Sequence, residues 1–140
     1  MAEQNKQIAR RFLAAFGAAD KATLEQIVAP DLVDHNPPPG QKPGREGLIE
    51  AVTQYRTAFP DMKLTIESLM ADDELVAVTG KVVGTNQGSL MGLPATGKKV
   101  SFAYMDMYRI VNDRVVDVWH VEDIAGMLQQ LGVVPGQPTG

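Results

Sequence analysis

The groups best suited to proton transfer in this sequence lie close together near its C-terminal end. His120, Glu122 and Asp123 directly follow Trp119, the single tryptophan of the chain. The segment 115–132 begins as a run of β-branched and aromatic residues and changes within about two residues to the pattern of a short amphipathic helix. The end of a strand is a rigid position for a side chain that points into a pocket. We therefore predict a candidate active site at this strand–helix junction.

Asp123 is the carboxylate to which this prediction gives the central role. A free aspartate has a pKa of about 3.9, so Asp123 is a useful acid near neutral pH only if an apolar pocket raises that pKa. Residues that can supply such surroundings are Trp119, Met105, Met107 and Val118. Asp123 also stands directly before a helical pattern, where aspartate is favoured as an N-cap. Asp123 can therefore be a catalytic residue, a helix cap, or both.

The only two histidines, His35 and His120, are the other catalytic candidates. His35 lies in the loop DHNPPPG, which three prolines hold rigid, so it can bind a substrate carbonyl or orient Asp123. Alternatively, the His35 side chain faces solvent or bonds only to the backbone. His120 either points into a cavity or is a core histidine with satisfied hydrogen bonds. Without an H-E-x-x-H motif or a close carboxylate cluster, the two histidines do not predict a metal site.

Composition limits the classes of function. A chain of 140 residues with 44% hydrophobic and 21% charged residues can bury one core, and we expect one domain at 1–132 followed by a tail at 133–140. A net charge of -4 disfavours a nucleic-acid partner. The absence of cysteine excludes disulfides and thiolate nucleophiles. No apolar run approaches the ~20 residues of a membrane span, and a cytoplasmic location is expected.

Hydrophobic periodicity predicts helices first and strands second. A curved antiparallel sheet covered on one face by N-terminal helices, an α+β fold, is therefore expected. Residues 31–40 and 84–97 are predicted to be loops. The predicted helices are 4–16, a short one capped by Asp20 and ended by Pro30, 44–58 and 124–131; the predicted strands are 62–70, 75–83, 100–110 and 115–121.

The last hairpin allows a prediction of which residues share a face. If Asn112-Asp113 forms a two-residue turn, Val111 pairs with Arg114 and the register follows. One face then carries Ala103, Met105, Met107, Arg109, Val116, Val118 and His120. The other face carries Phe102, Tyr104, Asp106, Tyr108, Asp117, Trp119 and Val121. The first set has the composition of a ligand cavity, and we expect one face to line a pocket and the other to meet a second subunit.

Several segments together resemble a known family. They are the DHNP loop, the hairpin YRIVNDRVVDVWHVED and the ending W-x-x-x-D-x-x-G-x-x-x-Q-L-G, which starts at Trp119. With the order of elements, they resemble the SnoaL-like polyketide cyclases. This resemblance implies the cone-shaped α+β barrel shared with ketosteroid isomerase, scytalone dehydratase and nuclear transport factor two. It also implies a homodimer or larger assembly, no cofactor, and the intramolecular aldol ring closure of a polyketide ester.

The resemblance also implies roles for particular residues. Asp123 matches the acid/base carboxylate of the family and His35 matches a polar pocket position. Met107 and Arg109 fall on pocket positions that are polar in the characterised cyclases, so Met107 departs from the pattern and leaves the substrate open. With His120, these complete the predicted catalytic set of Asp123, His35 and His120. The predicted substrate-binding set is Trp119, Met105, Met107, Arg109, Tyr55 and Phe59.

The substrate-binding set has structural alternatives. For the aromatic side chains, a role in the core is favoured over stacking on the substrate. Arg109 can pair with Asp117 or Glu122, or anchor an ester oxygen. The function also has alternatives: an isomerase, dehydratase or epoxide hydrolase on the same scaffold, or a small-molecule-binding module in which Asp123 only caps its helix.

Overall fold

The predicted α+β architecture is confirmed, with one strand added to the four that the sequence predicts. The computed structural model describes residues 2–133. The predicted tail at 133–140 lies outside the described residues, apart from Val133. Within them no helix is both long and apolar enough to cross a membrane. The elements are α1 Ala2–Ala18, α2 Lys21–Ile27, β1 Val28–Asp34, α3 Gly44–Ala58, β2 Lys63–Asp72, β3 Leu75–Thr85, β4 Lys99–Val111, β5 Arg114–Glu122 and α4 Ile124–Gln130.

The three N-terminal helices form where apolar residues recur every three or four positions. Phe12 of α1 and Val52 of α3 are buried, and Phe12 packs edge-on against Tyr108 of β4 with 4.9 Å between ring centroids. The predicted cap of α2 is confirmed, because the Asp20 carboxylate accepts the Thr23 backbone N–H at 3.2 Å. The helices thus cover one face of the sheet, which we call the inner face.

The sheet has the order β1-β5-β4-β3-β2. Strands β2 to β5 form an antiparallel meander, whereas β1 pairs with β5 in parallel. The prediction of a fully antiparallel sheet was therefore wrong at this edge. Residues 31–34 were predicted as loop because three consecutive prolines follow them, and Val28 as helix because it continues the apolar spacing of Leu24 and Ile27. An edge strand tolerates proline, and the register of β1 is irregular between Val28 and Val33, around Pro30.

The predicted turn of the last hairpin is confirmed. Asn112 and Asp113 have φ angles of 52° and 64°, and Val111 pairs with Arg114. Positive φ at both central residues is the requirement of a type I′ turn, whose twist matches that of the flanking strands.

A β-bulge then reverses the predicted faces of β5. Ile110 pairs with Val115 while Arg109 pairs with Asp117, so Val116 is an extra residue without a partner on β4. Because side chains alternate along a strand, one extra residue moves every later side chain to the opposite face. His120 therefore shares the inner face with Asp106, and the predicted grouping of His120 with the methionines was wrong. The inner face carries Phe102, Tyr104, Asp106, Tyr108, Val118, His120 and Glu122; the outer face carries Met105, Met107, Arg109, Asp117, Trp119 and Val121.

The long connection between β3 and β4 is held by one buried side chain. Asn86 is 1% exposed, and its amide oxygen accepts the backbone N–H and the hydroxyl of Thr96 at 2.9 and 3.0 Å. Its amide nitrogen donates to the carbonyl of Gly88 at 2.8 Å. These bonds connect both ends of the 86–97 segment, so the predicted loop has a fixed base.

Replacing Asn86 with alanine should lower the free energy of unfolding by about 2 kcal/mol, because several buried groups lose their partner at once. Urea denaturation measures the change. Replacing the neighbouring exposed Gln87 with alanine is the matched control and should stay within about 0.5 kcal/mol of the wild type. Equal urea midpoints for the two variants would contradict the role of Asn86.

Candidate active site

A small apolar chamber lies between the inner face of the sheet and the N-terminal helices. This central chamber has a volume of about 80 Å³. Most of its wall is apolar, including Phe12, Leu48, Phe102 and Val118. Three carboxylates and one imidazole interrupt that wall: Asp34, Asp106, Glu122 and His120.

The central chamber adjoins a wider opening, which we call the vestibule. The vestibule has a volume of about 700 Å³ and lies between α3 and the loops at 36–41 and 89–92. The residues common to both spaces are Pro38, Gln41, Ala51, Tyr55, His120 and Glu122. His120 and Glu122 therefore stand at the junction, where a molecule held in the vestibule reaches the interior.

Asp34, His120 and Glu122 form a charged cluster at this junction. His120 Nε2 lies 3.0 Å from Asp34 Oδ1, and His120 Nδ1 lies 2.7 Å from Glu122 Oε1. The hydrogen bond with Asp34, followed by that with Glu122, raises the pKa of His120 to about 10. Both ring nitrogens donate when the ring is charged. Near neutral pH the cluster is thus an imidazolium between two carboxylates.

The parallel edge strand supplies Asp34 and fixes the proline-rich loop that follows it. Burial alone would raise the pKa of Asp34, but hydrogen bonds from His120, the Asn36 backbone and Gln41 together lower it. The Asn36 side-chain oxygen also accepts the backbone N–H of His120 at 3.0 Å. The loop and the cluster are therefore held in one arrangement.

Asp106 is the second polar feature of the chamber and pairs with His120 across β4 and β5. Its Oδ2 accepts the Tyr108 hydroxyl at 2.6 Å, and its Oδ1 is buried with no hydrogen-bond partner within residues 2–133. Burial raises the pKa of Asp106 to about 6, against the lowering effect of the Tyr108 hydrogen bond. A carboxyl with this pKa can both take and return a proton near neutral pH.

The sequence of the chain matches a known family. The family model of SnoaL-like polyketide cyclases matches residues 6–131. The chain belongs to this family. An aklanonic acid methyl ester cyclase from Streptomyces peucetius, DnrD, is 26% identical over 140 residues, covering 95% of this chain and 94% of the relative. A second such cyclase, DauD from a Streptomyces species, is 29% identical over 119 residues, 84% of this chain and 71% of the relative.

Solved structures agree with this membership of the SnoaL-like family. IdmH from Streptomyces antibioticus superposes with a TM-score of 0.82 at 33% identity, covering 93% of this chain and 99% of that chain. TsrD from Streptomyces laurentii superposes with a TM-score of 0.86 at 25% identity, covering 94% of this chain and 97% of that chain. The resemblance suggested by the sequence motifs is thereby confirmed for fold and family.

Two of the predicted catalytic residues of this SnoaL-like chain, Asp123 and His35, do not line the chamber. Asp123 is exposed, and its carboxylate accepts the Gly126 backbone N–H at 2.9 Å as the N-cap of α4. His35 lies on the outer face, stacked on Trp119 with 4.3 Å between ring centroids. Its Nε2 lies 2.8 Å from Asp117 Oδ1. Of the predicted catalytic residues, His120 alone lines the chamber.

The predicted substrate-binding residues of this family member divide between three environments. Tyr55 lines both the chamber and the vestibule. Phe59 is fully buried in the hydrophobic core. On the outer face, Arg109 Nε lies 3.3 Å from Asp117 Oδ2, a pair that its structural alternative included. Arg109 Nη1 also lies 4.0 Å from Glu74 Oε1, a partner that was not predicted. Trp119, Met105 and Met107 share that outer face and line a shallow groove there.

Asp34, Asp106 and Gln41 are chamber residues that the sequence-based set omits, and Glu122 was noted but given no role. One signal for Asp106 was available: it interrupts an alternating row of aromatic residues, Phe102, Tyr104 and Tyr108, which is typical of a buried face. Asp34 had no such signal, because the prolines in and after β1 led to the prediction of a loop there. Within the described part of the chain, no group of three or more histidine, aspartate or glutamate side chains has the arrangement of a metal site.

Replacing Tyr108 with phenylalanine removes the hydroxyl that bonds Asp106. Because that hydrogen bond lowers the pKa of Asp106, its loss should move the pKa above the present value of about 6. A carboxyl-carbon NMR titration of Asp106 in both proteins measures the change. A pKa that stays the same or falls would contradict the assignment of this hydrogen bond.

Proposed function

We propose that this protein catalyses the intramolecular aldol ring closure of a polyketide ester and that Asp106 carries the proton. The observation that supports this most is the pairing of a desolvated carboxyl with a charged imidazole on one inner face. A small apolar chamber with one desolvated carboxyl beside a fixed cluster of charged groups suits the chemistry of a carbon acid.

The proposed step moves one proton and forms one carbon–carbon bond. Ionised Asp106 takes a proton from a carbon that lies between two carbonyl groups. The resulting enolate carbon attacks a ketone of the same molecule and closes the ring. The new alkoxide oxygen takes the proton back from Asp106, so the enzyme returns to its starting state without consuming a co-reactant.

The charged cluster is proposed to tune Asp106. Both nitrogens of His120 are already bound by Asp34 and Glu122, so the ring is not free to donate a proton to the substrate. Burial is the main cause of the raised pKa of Asp106; beyond burial, Glu122 raises this pKa more than His120 lowers it, and Asp34 raises it too. The cluster therefore favours the protonated form of Asp106, which returns the proton to the new alkoxide.

The sizes of the two spaces support a substrate with one small reactive end. A dry cavity of about 150 Å³ accommodates a benzene ring, and the central chamber has about 80 Å³. The chamber therefore suits a short ester or acyl group and excludes a fused ring. The vestibule, at about 700 Å³, is in the range of pockets that bind drug-sized molecules. We therefore propose that the ring system of the substrate lies in the vestibule.

The direct test uses aklanonic acid methyl ester, the compound in the names of two relatives. The protein is incubated with it in buffer containing EDTA, and the ring-closed isomer is followed by chromatography with mass detection. A non-cyclising β-keto ester in D2O tests the first step separately, because proton removal appears as deuterium uptake at the activated carbon. Deuterium uptake without ring closure would retain the acid/base site and reject this ester as substrate. Failure of both assays would refute the proposed function.

A further inference from the structure

The loop between β3 and β4 carries an exposed methionine whose backbone has an unusual conformation. Met91 is 66% exposed and has a φ of 53°. Asparagine and aspartate are the non-glycine residues that adopt positive φ most readily, whereas a bulky residue rarely does. Within residues 2–133 the other non-glycine residues with positive φ are Ala19, Asp73, Asn112 and Asp113. Met91 is therefore the one long apolar side chain in the described part of the chain that is held in the left-handed region.

Met91 and Gly92 are the two central residues of a tight turn. The Leu90 backbone N–H donates to the Leu93 carbonyl at 3.0 Å, and the Leu93 N–H donates to the Leu90 carbonyl at 2.8 Å. Gly92 has a φ of 78°, so both central residues have the positive φ of a type I′ turn. Asn-Gly is a preferred pair for this turn. The turn itself would therefore be more stable with asparagine in place of Met91.

The turn is fixed to the body of the protein. Leu90 and Leu93 pack against the hydrophobic core. Nearer the base of the loop, the Gly88 backbone N–H donates to the carbonyl of Ala58, the last residue of α3, at 3.2 Å. The buried Asn86 side chain holds the base, as described above. The turn therefore has a set position beside α3.

The space that Met91 lines is the vestibule, together with its neighbours Ser89, Leu90 and Gly92. An apolar side chain left in water and a left-handed methionine backbone both disfavour the free protein. Strain of this kind is typical of sites that hold a ligand. Because the turn does not require methionine, the reason for Met91 lies in the space that it lines.

We infer that Met91 packs on the face of the substrate ring system in the vestibule and determines the affinity for that ring system. This inference rests on the proposed function, which places the ring system there. A methionine side chain is unbranched, has three rotatable bonds and carries a polarizable sulfur, so it can lie flat on a ring and contact aromatic atoms favourably. Binding then removes from water the apolar surface that the free protein exposes.

The first test compares the wild type with Met91→Asn. Titration calorimetry with aklanonic acid methyl ester measures the Kd, and urea denaturation measures the stability of the free protein. We expect the Kd to rise roughly tenfold, because the contact of the thioether with the ring is lost. The urea midpoint should rise at the same time, because Asn-Gly suits the turn. An unchanged Kd would overturn the inference, and so would a lower urea midpoint, which would make Met91 a structural residue.

Two further variants separate the side chain of Met91 from its backbone. Ala19→Gly relieves a positive φ at a residue that does not line the vestibule, so it should raise the urea midpoint and leave the Kd unchanged. Met91→Leu keeps both the backbone conformation and an apolar side chain, and its Kd should stay within about threefold of the wild type. A loss of affinity in Ala19→Gly would contradict a contact at Met91, because it would follow from the change in stability alone.

Failure of this inference can be distinguished from failure of the proposed function. Calorimetry measures binding without turnover, whereas deuterium uptake tests the acid/base step. Deuterium uptake with an equal Kd for the wild type and Met91→Asn would reject the role of Met91 and retain the function. An ester that does not bind the wild type would overturn the inference as well.

Discussion

Replacing Asp106 with asparagine is expected to lower kcat for ring closure by roughly 100- to 10,000-fold, the usual contribution of a positioned acid/base group. Asparagine keeps the shape of the side chain and its bond to Tyr108 but cannot accept the substrate proton. In the wild type, kcat/KM should rise as the pH increases through about 6, where Asp106 ionises. The asparagine variant should lack this rise. Steady-state kinetics across pH values measures both effects.

Asp123→Asn is the matched control for this prediction. It makes the same chemical change in the carboxylate that the motif resemblance favours, which caps α4 at the surface. We expect its kcat to stay within a few-fold of the wild type. If Asp123→Asn abolished turnover while Asp106→Asn kept it, the proposed role of Asp106 would be refuted and the sequence-based assignment would stand.

Loss of folding does not account for the expected effect of Asp106→Asn. The folded-state pKa of Asp106 is raised above the ordinary value of 3.8, so the folded state binds more protons between pH 3.8 and about 6. Its ionisation therefore costs stability as the pH rises through that window. The variant has no such cost and should unfold at an equal or higher urea concentration at pH 7.

Replacing His120 with glutamine has the second large expected effect, on stability. The change leaves Asp34 and Glu122 facing each other without the positive charge between them, and their side chains are only 10% and 26% exposed. We expect the free energy of unfolding at pH 7 to fall by about 2 kcal/mol. This value is well below the free energy that would correspond to the whole rise in the pKa of His120, because the cluster is partly exposed and solvent screens its charges.

The pH dependence of stability distinguishes this effect from ordinary loss of packing. The folded-state pKa of His120 is raised from 6.5 to about 10, so its stabilising contribution is complete below pH 6.5 and is lost as the pH rises to about 10. Urea denaturation of the wild type should show a decline across this window, and His120→Gln should be flatter. His35→Gln is the control for a histidine on the outer face. A variant that kept the full decline would show that another group is responsible.

The helices and antiparallel strands could be predicted from the sequence because local rules determine them. Apolar spacing located α3 at its observed bounds, and the carboxylate of Asp20 marked the start of α2. Positive φ at Asn112 and Asp113 followed from the residue types of a two-residue turn. Strand β1 could not be predicted in this way. Its pairing with β5 joins residues far apart in the chain. Its one proline, Pro30, is compatible with an edge strand, but that rule helps only once the edge is known.

The candidate site was only partly predictable, and the reason is the bulge at Val116. The register deduced from the turn was correct for Val111 and Arg114 but changed at Val116, four residues before the candidate His120. Nothing in the run of valines distinguishes a bulged residue from a paired one. As a result Asp106 was assigned to the face of Trp119, and the motif resemblance directed attention to Asp123. Tyr55 of α3 lines the chamber, and its side of the helix follows from the apolar spacing, because a helix has no such ambiguity of register.

The bulge at Val116 also determines how the chain can tolerate length changes. Deleting that one residue would leave the turn and the strand pairing possible while turning Trp119 and Val121 inward and His120 and Glu122 toward water. Loss of one codon from β5 would thus exchange the residues of the chamber wall with those of the outer face. We therefore expect insertions and deletions in β5 to destabilise the fold far more than substitutions do. The 89–92 loop should tolerate them better, because its side chains do not alternate between two faces of a sheet.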